Sequence, residues 1–157
     1  MNKVSIPITG QSLVVLLVGF LLGRKWGTLA VVVYLLLGIL NLPVFAEGKY
    51  GWETFTKGSG GFLYGFLFAA YFVGVLGDKE WGSSLVKSLI AMVLGTVIII
   101  AFGVMHLSFL YGFEKALEYG FYPFWKGAVV KILIGGVLGY FLNHKLHQIK
   151  KAYPNRG

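Results

Sequence analysis

Residues 60–77 and 88–113 contain no Asp, Glu, Lys or Arg, and these two charge-free runs limit the fold more than any other feature. A helix rises about 1.5 Å per residue, so runs of this length reach across the roughly 30 Å of hydrocarbon in a bilayer. Only 13% of the 157 residues are charged, while 57% are AVILMFWYC, and the mean hydropathy is +0.75. A soluble domain carries about a quarter charged residues and hides its apolar ones in one core. The composition excludes a water-soluble monomer, a disordered chain and a coiled coil. It predicts an all-α integral membrane bundle.

The net charge of +8 raises the question of nucleic acid. The bases are scattered at the ends of apolar segments rather than gathered on a polar face, as membrane topology predicts. A nucleic-acid partner is therefore excluded. The chain has no cysteine, so it has neither disulfides nor a thiolate metal site or nucleophile. Lys3 followed by an apolar stretch imitates a signal peptide, but no A-x-A-like site follows, and Arg24-Lys25 closes the run. It reads as mature protein.

Five apolar segments emerge. Segment A runs from about Gln11 to Gly23 and stops at Arg24-Lys25-Trp26-Gly27; segment B runs from about Thr28 to Leu40 and ends at Asn41-Leu42-Pro43. A polar stretch from Glu47 to Ser59 follows. Segment C is Gly60 to Gly77, segment D Ser88 to about Phe113, and segment E roughly Gly127 to Asn143, with a basic tail over 144–157. A and B, near 13 residues each, are short for a span and would fit a re-entrant hairpin. Tilt or local bilayer thinning also closes that gap, and all five are read as spanning in a single domain over 1–157. With the N-terminus outside, eight bases lie inside and five outside, and Lys131 is left in the membrane. The predicted topology is N-terminus out, C-terminus in.

Gly19 and Gly23, Gly135 and Gly139, and Gly61, Gly65 and Ala69 are spaced by four. This spacing lets helix backbones approach where lipid removes the hydrophobic drive. Packing within the bundle is the expected use; docking to another membrane subunit is the alternative.

No G-x-x-x-x-G-K-[ST] is present, so uphill transport must draw its energy from elsewhere. His144 and His147 share a helix face among lysines and read as a solvated helix end, with no metal site. His106, inside segment D, reads as a packed, hydrogen-bonded histidine. No nucleophile–base set or carboxylate pair stands out, and no catalytic residue is assigned. Lys131 is different: a lysine inside a membrane helix costs roughly 2.5–3.5 kcal/mol on insertion scales. It either snorkels outward or offers a cation to a ligand in an outer pocket. Tyr50, Trp52, Phe55, Phe62, Tyr122 and Trp125 supply apolar walls with polar tips on that side.

The order of short stretches resembles the BioY family, the biotin-binding S components of energy-coupling-factor (ECF) vitamin transporters. The stretches are Ile6-Pro7-Ile8-Thr9-Gly10-Gln11-Ser12-Leu13, Leu22-Gly23-Arg24-Lys25-Trp26-Gly27, Tyr34-Leu35-Leu36-Leu37-Gly38, Leu42-Pro43-Val44-Phe45-Ala46, Ser59-Gly60-Gly61-Phe62-Leu63-Tyr64-Gly65-Phe66 and Tyr122-Pro123-Phe124, then Gly127 and Lys131. The resemblance implies a six-helix membrane fold with both termini inside. It further implies biotin capture from outside a prokaryotic cell membrane, and a transmembrane coupling protein and two ATPases as partners. On this resemblance the chain is a transporter subunit rather than an enzyme and holds no cofactor. Two departures are expected. Only about ten residues precede segment A, so the family's first helix is missing from this reading. The family's P-F-x-x-G-D-x-x-K reads Pro123-Phe124-Trp125-Lys126-Gly127-Ala128-Val129-Val130-Lys131 here, with alanine in place of the aspartate. Some members carry asparagine where Lys49 stands. The expected biotin contacts are Ser59, Lys49 and Lys131 for polar groups and Tyr34, Phe45 and Phe62 as walls. The residues leave two other readings open: an S component for another small anionic vitamin, and a non-binding structural subunit of a membrane complex.

Overall fold

The structure, a computed structural model, describes residues 11–42, 60–122 and 125–152. These residues are helical apart from short turns, with no strand among them. The helices are α1 (Gln11–Ile39), α2 (Gly60–Asp78), α3 (Leu85–Tyr111), α4 (Phe113–Gly120) and α5 (Trp125–Ala152), with a 3-10 turn at Trp81–Ser83. Four of them, α1, α2, α3 and α5, are long and apolar enough to cross a membrane. A helix satisfies most of its backbone polar groups internally, which is what a lipid environment demands.

α1 is not one rod. Gly23 has φ 87 and ψ 175, inside an otherwise helical element. This conformation is open almost only to glycine, because a Cβ there meets the neighbouring backbone. The chain folds back on itself at this residue: a Cβ on Gly27 would lie 2.7 Å from the Gly19 Cα, whereas eight residues of straight helix span about 12 Å. The two arms, 11–22 and 24–39, are segments A and B. The expected separator Arg24–Gly27 is already helical, so the reversal needs Gly23 alone. Asp78, at the end of α2, makes this possible. Its Oδ2 accepts the Arg24 backbone N–H at 3.2 Å, one of the N–H groups that a new helix start leaves without an intrahelical partner. The Arg24 Nε also lies 3.7 Å from the same oxygen. Both side chains are well exposed, at 62% and 45%, so the ion pair adds less than about 1 kcal/mol and the N–H cap matters more.

Residue contacts set the direction of each segment. A Cβ on Gly19 would meet the Ala70 backbone, and Gly23 adjoins Asp78, so the first arm runs parallel to α2. Gly135 faces Leu13 and Gly139 faces Phe20, so α5 runs parallel to the first arm too. α3 is antiparallel to α2, with Gly61 against His106, Gly65 against Ile99 and Gly95 against Val73. α3 is likewise antiparallel to α5, with Gly135 on Met92 and Gly139 on Ser88. Five segments therefore lie side by side with alternating sense. α2 is the most enclosed of the candidate spans, 61% buried against 17% for α5.

The small residues singled out in the sequence are spent on these internal contacts, which answers the choice between packing and docking for those positions. Ala69, Ala70 and Val73 of α2 and Ala91, Met92 and Leu107 of α3 are fully enclosed. The fully buried Ser88 hydroxyl donates to the Gly136 carbonyl at 2.7 Å, an interhelical bond that ties α3 to α5. One boundary differs from expectation: α5 continues beyond Asn143 through residues 144–152 as helix. Glu114 and Glu118 lie on the short helix α4.

The reversal has a testable signature. Gly112, between α3 and α4, shares the glycine-only backbone (φ 92, ψ 161) but has nothing within 4 Å of its would-be Cβ. Gly23→Ala and Gly112→Ala should each cost about 1–3 kcal/mol of strain. Only Gly23→Ala also drives a methyl into Asp78, so it should lower the Tm in detergent more than Gly112→Ala. Equal Tm shifts would refute this account of the turn.

Candidate functional site

The bundle has two chemically different ends. Arg24, Lys25, Asp78, Lys79, Glu80, Lys87 and Lys145 gather at the end where Gly23 turns. That end is fixed by the Gly23–Asp78 contact and by Gly82 lying against Asn143. Two of its lysines lie over indoles, Lys25 at 5.3 Å from the Trp26 ring and Lys87 at 5.9 Å from Trp81. Tryptophan and basic residues together are the usual furniture of a membrane–water interface. The His144 ring lies 4.8 Å from that of Tyr140, tilted by 48°, and no three His, Cys, Asp or Glu converge among the described residues.

The opposite end holds the candidate site. α5 begins there, and Lys131 stands on its second turn. Its Nζ donates to the Ser12 Oγ at 3.4 Å, and both residues are half-buried. No Asp or Glu oxygen lies within 4 Å of the Lys131 Nζ among the described residues. Ala128, one turn earlier on the same helix, is also half-buried.

Tyr34 and Phe62 come to the same level by register. Ser12 precedes Gly19 by seven residues, Tyr34 follows Gly27 by seven, and Phe62 precedes Ala70 by eight. Gly27 touches Gly19 and Gly19 touches Ala70, so all three stand about 10–12 Å beyond a shared contact point. Tyr34 is half-buried against the core. Phe62 is buried, and its ring occupies the space that a side chain on Gly103 would need. It is thus a packing residue between α2 and α3 as well as a candidate wall. His106 sits at this end too, its Cβ over Gly61 and its ring edge-on to Tyr64 at 6.4 Å, in keeping with a packed histidine.

Phe45, Lys49 and Ser59, together with Tyr50, Trp52 and Phe55, lie outside the described residues. The chain leaves this end at Leu42 and returns to it at Gly60. Tyr122 and Trp125 are described and exposed. Two residues that sequence reasoning passed over matter here. Asp78 belongs to no motif in the sequence; its role depends on a backbone N–H 54 positions away. Ser12 lies in a family-like stretch, and its link to Lys131 spans 119 positions.

An alternating five-segment bundle with one basic, tryptophan-edged end defines a multi-pass membrane protein. The chain belongs to the BioY family, whose model matches residues 1–148. It is 38% identical over 134 residues to "Biotin transporter BioY" of Thermotoga maritima, covering 85% of this chain and 78% of that one. It is 37% identical over 145 residues to "Biotin transporter BioY" of Rhizobium etli, covering 87% and 77%. A solved S-component for biotin from an ECF-type ABC transporter superposes with a TM-score of 0.80 at 26% identity, over 92% of this chain and 79% of that chain. The resemblance read from the sequence is thereby shown.

The seat of Phe62 makes a second prediction. Phe62→Ala removes a buried ring and should cost about 3–5 kcal/mol. Adding Gly103→Leu to that variant refills part of the space and should recover some of the lost Tm. A double variant less stable than Phe62→Ala alone would show that the ring is not seated on Gly103.

Proposed function

We propose that this chain captures biotin at the outer face of a prokaryotic cell membrane. It then serves as the substrate-binding S component of an ECF-type importer. The observation that carries the reading is the placement of Lys131 on Ser12, level with Tyr34 and Phe62, in a chain homologous to biotin transporters.

Biotin has a ureido ring with two N–H donors and a carbonyl, an apolar thioether ring, and an aliphatic chain ending in a carboxylate. Such a ligand calls for aromatic walls, a few polar groups at the ring and a cationic donor for the tail. Tyr34, Phe45 and Phe62 are the proposed walls, and Lys49, Ser59 and Lys131 the proposed polar contacts. No phosphate-binding loop is present in the sequence, so the energy comes from partners, a transmembrane coupling protein and two ATPases. The chain itself acts as a binding subunit rather than an enzyme.

Orientation follows from charge. The end carrying Arg24, Lys25, Lys79, Lys87 and Lys145 belongs inside by the positive-inside rule, which sets the Lys131 end outside. The N-terminus is then out and the C-terminus in. The cysteine-free sequence makes this easy to check with single-cysteine variants. Lys25→Cys should react with an impermeant maleimide only in inverted vesicles, and Tyr122→Cys only in intact cells. The reverse pattern would mean the opposite orientation.

Binding itself is tested by titrating purified protein with biotin in detergent and by mass spectrometry of any small molecule that co-purifies. A hydrogen bond to a charged group is worth about 1.5–3 kcal/mol, so Lys131→Ala should weaken binding roughly 10- to 100-fold. A folded Lys131→Ala protein with unchanged affinity would rule out direct contact. A different anionic ligand in the co-purified material would point to another vitamin, and no ligand at all to a structural subunit.

A further inference from the structure

We propose that the basic end of the bundle is a binding surface for anionic phospholipid headgroups, held by Lys25 beside Trp26 and by Lys87 beside Trp81. This end carries five basic side chains, Arg24, Lys25, Lys79, Lys87 and Lys145, against two carboxylates, Asp78 and Glu80. Arg24 takes Asp78. The four lysines are exposed, and none has a carboxylate oxygen within 4 Å among the described residues. The protein therefore leaves an excess of positive charge unneutralised at the depth where tryptophan marks the headgroup layer.

Lys25 stands in the first turn of the second arm and Lys87 in the first turn of α3, with no acidic residue in either turn. The backbone dipole is positive at a helix start, so a cation there is disfavoured until an anion stands beside it. Side chains lean toward the start of their own helix, and both helices start at this end. The two ammoniums are thus directed toward headgroups rather than hydrocarbon. Each also lies over an indole, at 5.3 Å for Lys25 and 5.9 Å for Lys87. That contact steadies the ammonium and leaves its N–H donors open to a phosphate.

Placement favours a lipid over a protein as the occupant. Lys25 and Trp26 belong to the arm that packs on the first arm and α2, with Gly27 on Gly19 and Arg24 on Gly74. Lys87 and Trp81 stand beside α5, where Gly82 lies against Asn143. A partner helix meets one side of a bundle, whereas headgroups surround it. The proposal needs no vitamin and is independent of the biotin reading.

The test titrates purified protein in detergent with dioctanoyl phosphatidylglycerol or dioctanoyl phosphatidylcholine and follows the rise in Tm, since a ligand that binds only the folded state stabilises it. Each lysine near an anionic surface is worth about five-fold in binding, so wild type should half-saturate at a roughly 10- to 30-fold lower concentration of the anionic lipid. Lys25→Gln and Lys87→Gln should each cut that preference about five-fold, the double variant should abolish it, and Lys→Arg at either position should keep it. Lys115→Gln, an equal loss of charge at the opposite end, should leave it unchanged. Equal half-saturation by the two lipids in wild type overturns the proposal, as does a preference that survives in the double variant. A loss as large in Lys115→Gln would reduce the effect to net charge and overturn the assignment to these lysines. Inorganic phosphate that raises the Tm as much as the anionic lipid would make this a site for soluble anions instead. Absence of lipid preference, with co-expressed coupling and ATPase subunits retained by wild type and lost by the double variant, would make it a protein docking surface.

Discussion

The contact between Asp78 and the start of the second arm of α1 is the constraint on which the rest of the bundle depends. Without an acceptor for the Arg24 N–H, the reversal at Gly23 would leave the new helix start one donor short of a protein partner. With it, the chain turns back within one residue. The first arm is thereby held against α2, with Gly19 on Ala70, and the second arm against the first, with Gly27 on Gly19. Ser12 and Tyr34 reach the opposite end together only because both arms are measured from that turn.

Lipid tails are as apolar as leucine, so close packing and interhelical hydrogen bonds replace the hydrophobic drive that holds a soluble core. The distribution of small residues reflects this. Gly19, Gly61, Gly65, Gly135 and Gly139 each lie where a neighbouring helix leaves no room for a side chain, and the Ser88 hydroxyl bonds the Gly136 carbonyl beside two of them. Those contacts bring α5 alongside the first arm, which is what lets Lys131 meet Ser12. The glycine spacing and the candidate site are thus linked: the first sets how closely the helix carrying the lysine approaches.

Much of this was legible before any coordinates. Two charge-free runs announce helices by length alone, and their ends agree with α2 and α3 to within a few residues. Lys131 was legible because a charge inside an apolar helix is costly and needs a reason. Phe62 was legible only by half. Its type and place in the motif make it a wall, but its packing on Gly103 depends on which face of α3 meets α2. Four-residue spacing does not record that choice. The separator Arg24–Gly27 misled because basic residues look like a loop; on a helix at a membrane interface they are equally at home.

The sequence by itself determined the class, the number and order of apolar segments, the segregation of charge and the family. Those properties follow from composition and local periodicity, which need no partner. Only the tertiary structure decided that segments A and B join at Gly23 alone, that Asp78 caps that turn, and that Ser12 receives the Lys131 ammonium. Each depends on groups 54 to 119 positions apart. A backbone N–H or a serine hydroxyl carries no mark of its partner until packing brings the two within hydrogen-bonding distance.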